Sequence, residues 1–264
     1  MYAFDYQRPG SASAAAAAIQ GDARYLAGGQ SLVQAMKLRL SSSERLVDLG
    51  GIAELKGIKL DGSNVVIGAM TTHAAVAASP EVKKAIPALA ELAGGIGDPM
   101  VRNMGTIGGS IANADPAADY PAGVVGLNAT VKTNKRSIAA DDFFTGLYET
   151  ALDPGELITA VSFPAPQRAA YVKYKQPASR FALVGVFVAQ TAGGVRVAVT
   201  GAAGSVFRCK PLEDALAKSF TPEAAKAVKV SAAGLNADLH GSAAYRAAMI
   251  SVMASRAVAA ALAR

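Results

Sequence analysis

Two glycine-rich passages constrain this chain more than any other feature: Ala27-Gly28-Gly29-Gln30-Ser31 and Gly105-Thr106-Ile107-Gly108-Gly109-Ser110. The first follows a short β-rich run, Arg24-Tyr25-Leu26, and leads into an expected helix over 31–40 that Ser31 can cap. Glycine lets a backbone turn tightly or lets a ligand come close to it. A helix start also presents free N–H groups and a positive dipole end, so an anion can settle there. The second passage offers the same chemistry, with two hydroxyls. Facing each other, the two could hold a diphosphate, although each alone reads equally well as an ordinary turn. Neither matches G-x-x-x-x-G-K-[ST] or a G-x-G-x-x-G after a strand, so a P-loop and a Rossmann site are both disfavoured.

The remaining residues narrow the choices. Length 264 fits one large domain or two to three small ones, and 52% hydrophobic with 17% charged residues is a globular composition. The net charge of +6 is spread without a basic block, so no nucleic-acid partner is expected. The single cysteine, Cys209, excludes an intramolecular disulfide and a four-cysteine cluster, and reads as a structural thiol. No secretory leader and no membrane-spanning apolar run is read. The expectation is a soluble chain with no export signal of its own and no membrane insertion.

Along the chain the pattern is α+β. A hairpin is expected around Asp61-Gly62, and a helix over "PEVKKAIPALAELAGGIG". "ATVKT", "RSIAA" and "LITAVSFP" read as strands, and a proline-rich joint lies at 163–167. Three more strands follow, then helices over "PLEDALAKSF", "TPEAAKAVKVSAAG" and the C-terminal twenty residues. In "NADPAADY", Asp115 and Asp119 flank an expected helix start at Pro116. They either serve the helix dipole or, for Asp119, accept hydrogen bonds from a ribityl chain. His73 and His240 fit no catalytic pattern and read as structural or surface residues.

"AGGQSLVQAMKLRL" resembles the first FAD loop of the medium subunits of molybdenum hydroxylases, the family of xanthine dehydrogenase and carbon monoxide dehydrogenase medium subunits. "RNMGTIGGSIANADPAADYPA" resembles their second FAD loop. "DDFFTGLYETAL" with "GELITAVSFP", and "YKQPASRFALVG", resemble the next two blocks, in the family's order and over nearly the whole chain. The resemblance implies a vanillyl-alcohol-oxidase-type (PCMH) FAD-binding fold of two subdomains, 1–55 and 56–165. A carbon monoxide dehydrogenase flavoprotein-like C-terminal domain, 166–264, would follow, with a three-stranded antiparallel sheet and helices. It implies that Ala27, Gly28, Gly29, Gln30 and Ser31, with Thr106, Ile107, Gly108, Gly109 and Ser110, wrap the FAD pyrophosphate through backbone N–H groups, and that Leu32 is a further cofactor-binding residue. Asp119 would bind the ribityl region, Asp115 would be a further cofactor-binding residue, and Ile158 would pack on the isoalloxazine. Lys175 would lie near the flavin edge, where a cation favours the reduced form. By pattern alone, Ile158 is a core residue and Lys175 a solvated strand lysine. Gln30 and Asn113 stand where many relatives have His.

The resemblance further implies a chain without an acid–base catalyst or metal. Its partners would be a large molybdenum–pterin subunit, which holds the substrate, and a small subunit with two [2Fe–2S] clusters, in a dimer of heterotrimers. Electrons would pass through FAD to an external acceptor. The expected compartment is the cytoplasm, or the periplasm by co-export on a partner. Two alternatives stand beside this reading. One is a self-sufficient flavin oxidase of the same fold, which a histidine at position 30 would favour. The other is a nucleotide-sensing or nucleic-acid-binding protein that uses the positive charge.

Overall fold

The computed structural model describes all residues, 1–264. The N-terminal lobe alternates strand and helix: β1 (Asp5–Gln7), α1 (Ala12–Ala18), β2 (Ala23–Leu26), α2 (Leu32–Lys37) and β3 (Arg45–Asp48). β3 lies between β1 and β2 and runs parallel to both. Parallel strands need crossovers, which the two helices supply. Ser11 starts α1 by accepting a hydrogen bond from Ala14 N at 3.2 Å.

The central lobe begins with the expected hairpin, β4 (Ile58–Asp61) and β5 (Asn64–Gly68), turning through Gly62 at φ +59°. Six short helices follow: α3 (His73–Ala78), α4 (Pro80–Ala85), α5 (Pro87–Gly94), α6 (Pro99–Met104), α7 (Ile107–Asn113) and α8 (Tyr120–Gly126). The chain returns through β6 (Thr130–Thr133), β7 (Ser137–Ala139), the single turn α9 (Ala140–Phe143), a small hairpin of β8 (Phe144–Gly146) and β9 (Glu149–Thr150), and β10 (Ile158–Pro164). The five-stranded antiparallel sheet has the order β4-β5-β10-β6-β7. The single helix expected over 80–97 is two helices. Pro87 has no N–H and pushes Ile86 out of the helical region, to φ −143°, ψ 70°.

The C-terminal sheet comprises β11 (Arg168–Lys175), β12 (Ala182–Thr191), β13 (Gly194–Thr200) and β14 (Phe207–Arg208), antiparallel in chain order. The expected three strands are thus joined by a fourth. It has two residues, too few to show an alternating pattern. Helices α10 (Lys210–Lys218), α11 (Pro222–Ala227) and α12 (Ala243–Leu262) complete the chain. α11 ends well before the expected residue 234. Val228 leaves helical geometry, at ψ 124°, and its carbonyl accepts the Ser251 hydroxyl at 2.6 Å. No helix is long and apolar enough to cross a membrane.

Strand alternation decides how the sheet is shared. Val184, Val186 and Val188 of β12 join a core with Ile250, Met253 and Ala257 of α12. Phe187 and Ala189, on the other face, join the central core beside Leu89, Leu92 and Val124. Backbone bonds from this sheet also hold residues 116–118. Gly201 N donates to Pro116 O at 2.7 Å, and the Thr200 hydroxyl donates to the carbonyls of Pro116 and Ala118.

Candidate functional site

The two glycine passages meet. A Cβ on Gly28 would land on the Met104 carbonyl and stand 2.8 Å from the Gly105 Cα. A Cβ on Gly109 would stand 3.1 Å from that of Ala27. Gly29 takes φ +71°, a left-handed conformation open to glycine at little cost. Glycine here therefore serves both a tight turn and a close crossing of two backbones.

The meeting point is the floor of a cleft of about 470 Å³, within the range of small-molecule sites. Twelve of the fifteen sequence-derived residues line it: Ala27 through Leu32, Thr106, Gly108, Gly109, Ser110, Asp115 and Ile158.

The passages contribute differently. The N–H groups of Gly28, Gly29, Gln30, Ser31 and Leu32 donate to no acceptor in the chain, leaving a row of five donors along the cleft. Ser31 stands at the start of α2 but its hydroxyl makes no capping bond, contrary to the expected cap. The helix begins at Leu32, and the hydroxyl remains available. The second passage is mostly helix, and its amides are engaged. Ile107 N donates to Thr71 O at 3.1 Å and Gly108 N to Ala69 O at 2.8 Å. Thr106 caps α7 by accepting from Gly109 N at 3.2 Å, and Ser110 N donates to Thr106 O at 3.0 Å. The expectation of freely accessible N–H groups there is corrected. Residues 105–108 are laced onto the segment after β5, and only the Thr106 N–H is left over. Ile107 belongs to the central core, with no exposure, and does not line the cleft. What this passage offers is a surface without side-chain bulk, and the unpartnered Ser110 hydroxyl.

Ile158 opens β10 and forms an apolar wall of the cleft. Two residues earlier Glu156 also lines the cleft, and its carboxylate is enclosed. Arg136 Nε and Nη2 donate to it at 3.1 and 3.0 Å, Thr133 Oγ1 at 2.7 Å, and Asp153 N at 2.8 Å. The Arg136 bond is the largest influence and holds its pKa near 2. Asp115 turns the chain into residues 116–118 by accepting from Ala117 N at 2.8 Å.

Asp119 and Lys175 do not line this cleft, although Asp119 borders an adjoining hollow that shares Ser110, Asp115 and Ala118 with it. Asp119 is 5% exposed and does not line the cleft. One oxygen accepts from Tyr171 Oη at 2.5 Å, and the other from Lys173 Nζ at 2.9 Å. Burial raises its pKa, against the pull of Lys173 and Tyr171. Both oxygens are engaged inside the chain. Lys175 is exposed at the end of β11, beyond an irregularity between Tyr174 and Lys175, and is also outside the cleft. Strand period places Lys173 and Lys175 on one face, so the pattern could not tell which lysine was buried.

His73 is the residue that sequence reasoning passed over. It is buried, as a structural reading requires, but it lines the cleft. Burial, and secondarily Arg102, lower its pKa to about 4, so the ring is neutral at pH 7. Cys209 is buried in the C-terminal core, as expected.

A row of free amide donors, a glycine floor, two free hydroxyls and an aliphatic wall suit a dinucleotide with a diphosphate and a flat apolar ring. The chain matches the family model of the FAD-binding domain in molybdopterin dehydrogenase over residues 2–166. It is 39% identical to the carbon monoxide dehydrogenase medium chain of Hydrogenophaga pseudoflava, covering 99% of this chain and 98% of that one. It is 35% identical to the nicotine 6-hydroxylase medium subunit of Paenarthrobacter nicotinovorans, over 90% and 89%. Among solved structures, it superposes on quinoline 2-oxidoreductase from Pseudomonas putida with a TM-score of 0.89 at 30% identity, covering 98% and 97%. These relatives are oxidoreductase subunits of multi-subunit complexes. The chain belongs to the family of FAD-binding medium subunits of molybdenum hydroxylases.

Proposed function

We propose that this chain is the electron-transfer flavoprotein of a heterotrimeric molybdenum hydroxylase. The observation that carries the reading is the row of unengaged amides from Gly28 to Leu32, beside a floor in which side chains at Gly28 and Gly108 would collide with neighbours and one at Gly109 would be tight. The amides would hold the pyrophosphate, with Ser31 and Ser110 supplying hydroxyl donors. Asp115, at the cleft wall, would face the sugar hydroxyls, and Ile158 would lie against the isoalloxazine. FAD, when bound, supplies electron storage between iron–sulfur clusters of a partner and an external acceptor. The protein's work is binding, orientation and exclusion of water.

The partners in this reading are a large subunit with molybdenum–pterin and a small subunit with two [2Fe–2S] clusters. A chain with one cysteine cannot supply four thiolates to a cluster. We place the assembly in the cytoplasm as a dimer of heterotrimers, and divide this chain into FAD subdomains 1–55 and 56–165 and a C-terminal domain, 166–264.

The test is the visible spectrum of the complex purified with this chain, the mass of the released chromophore, and the flavin's reduction rate after substrate is mixed in. FAD that is reduced within turnover time supports the reading. A colourless chain that takes up no FAD beside its partners, or a bound flavin that substrate leaves oxidised, overturns it.

A further inference from the structure

His73 is a buried polar side chain without a partner in the wall of the cleft. Its Nδ1 is enclosed and makes no hydrogen bond, and no bond from the chain reaches Nε2. Its backbone N–H is used, donating to Gly105 O at 3.0 Å, which fixes the residue beside the second glycine passage. Nε2 lies 2.5 Å from where a Cβ on Gly105 would stand, so a side chain at 105 would strike the imidazole. Gly105 in turn is the residue whose Cα Gly28 approaches. The imidazole thus packs against Gly105, the residue at which the two passages meet, and lines the same cleft as the free amides. The Tyr120 ring packs beside it, centroids 5.3 Å apart, and the Tyr120 hydroxyl is likewise enclosed and unpartnered.

An enclosed polar nitrogen without a partner is costly, and native chains keep few of them. The surrounding protein offers the His73 ring nitrogens no hydrogen-bond partner, while the cleft it lines suits an anion. A neutral imidazole carries one N–H donor and one acceptor nitrogen, enough to serve a phosphate oxygen without a buried positive charge. Arg102 is the charged group that acts on this ring, and it too favours the neutral form.

We propose that His73 is a cofactor-contacting residue, donating a ring N–H to the diphosphate of FAD where the two glycine passages cross. This rests on the reading that the cleft holds FAD, and the test separates the two. The chain has only two histidines, so selective ¹⁵N-histidine labelling gives a spectrum of two imidazoles, and His73→Gln identifies the His73 signals by their loss. The full chain, stripped of cofactor, is titrated with FAD, ADP and riboflavin. The expected result is a shift of a His73 ring nitrogen with FAD and with ADP. His73→Phe, which fills the space without a donor, should weaken FAD binding about tenfold or more, as loss of a bond to a charged group requires. His73→Gln, which keeps a donor, should stay within about threefold of the native chain. Saturating FAD that leaves the His73 signals unmoved overturns the inference alone. So does native affinity in His73→Phe, or a shift with riboflavin and none with ADP. A native chain that binds neither FAD nor ADP overturns the cleft reading with it.

Discussion

Gly28→Ala isolates the crossing of the two backbones. The new Cβ would sit on the Met104 carbonyl and 2.8 Å from the Gly105 Cα, where carbon contacts prefer about 3.5 Å or more. Backbone atoms cannot rotate away as a side chain can, so the loops must part. Overpacking of this kind costs about 1–3 kcal/mol of stability. The larger effect is on binding, because the displaced segment carries the five free donors. Each hydrogen bond to a charged group is worth about 1.5–3 kcal/mol, so losing even one lowers affinity roughly 10- to 100-fold. The assay is quenching of FAD fluorescence on titration of the cofactor-stripped chain, with thermal unfolding of the same sample to confirm folding. Gly204→Ala is the control, since nothing lies within 4 Å of its added Cβ, and it should bind as the native chain does. Gly28→Ala binding FAD within about threefold of native would refute the reasoning, because the crossing would then not be coupled to the site.

Three further substitutions probe the surroundings. Asp119→Asn leaves Lys173 buried without its counter-charge and should cost about 3–5 kcal/mol in urea unfolding. FAD affinity should stay within about threefold, whereas a ribityl ligand would lose more. Ile158→Ala should cost about 2–5 kcal/mol and weaken FAD binding, measured by the same titration; native affinity would remove Ile158 from the flavin wall. Glu156→Gln tests the acid limb of stability. A carboxylate held near pH 2 in the fold against an ordinary 4.5 contributes stability that is complete above about 4.5. That stability is lost as pH falls toward 2. The variant should be less stable at pH 7 and show a shallower decline between those values, read from thermal midpoints across pH; a decline as steep as native would contradict it.

The sequence announced the cleft because glycine is informative where backbones touch, and Gly28, Gly29, Gly108 and Gly109 all came from that signal. It also showed the hairpin at Gly62 and the buried C-terminal helix, each through local pattern. Tertiary hydrogen bonding was not legible. Glycine content made residues 105–110 look like the equal of 28–31, yet pairing with Thr71 and Ala69 uses the Ile107 and Gly108 amides, and helical turns use those of Gly105, Gly109 and Ser110. The resemblance pointed at Asp119 and Lys175, while the fold buries Asp119 against Lys173, two residues earlier on the strand. The role of Glu156 does not show in its local sequence, because its partner Arg136 lies on a different segment. His73 had no pattern at all; only its burial in the cleft wall sets it apart.

The central claim is an asymmetry: the first passage binds the pyrophosphate through its amides, and the second supplies the floor. Residue-resolved amide hydrogen exchange, with and without FAD, tests this most directly. The expected result is fast exchange at Gly28 to Leu32 in the free chain and strong protection on FAD binding. Ile107 to Ser110 should be protected before FAD is added and change little. Equal new protection at both passages, or none at Gly28 to Leu32 with FAD bound, would contradict the account.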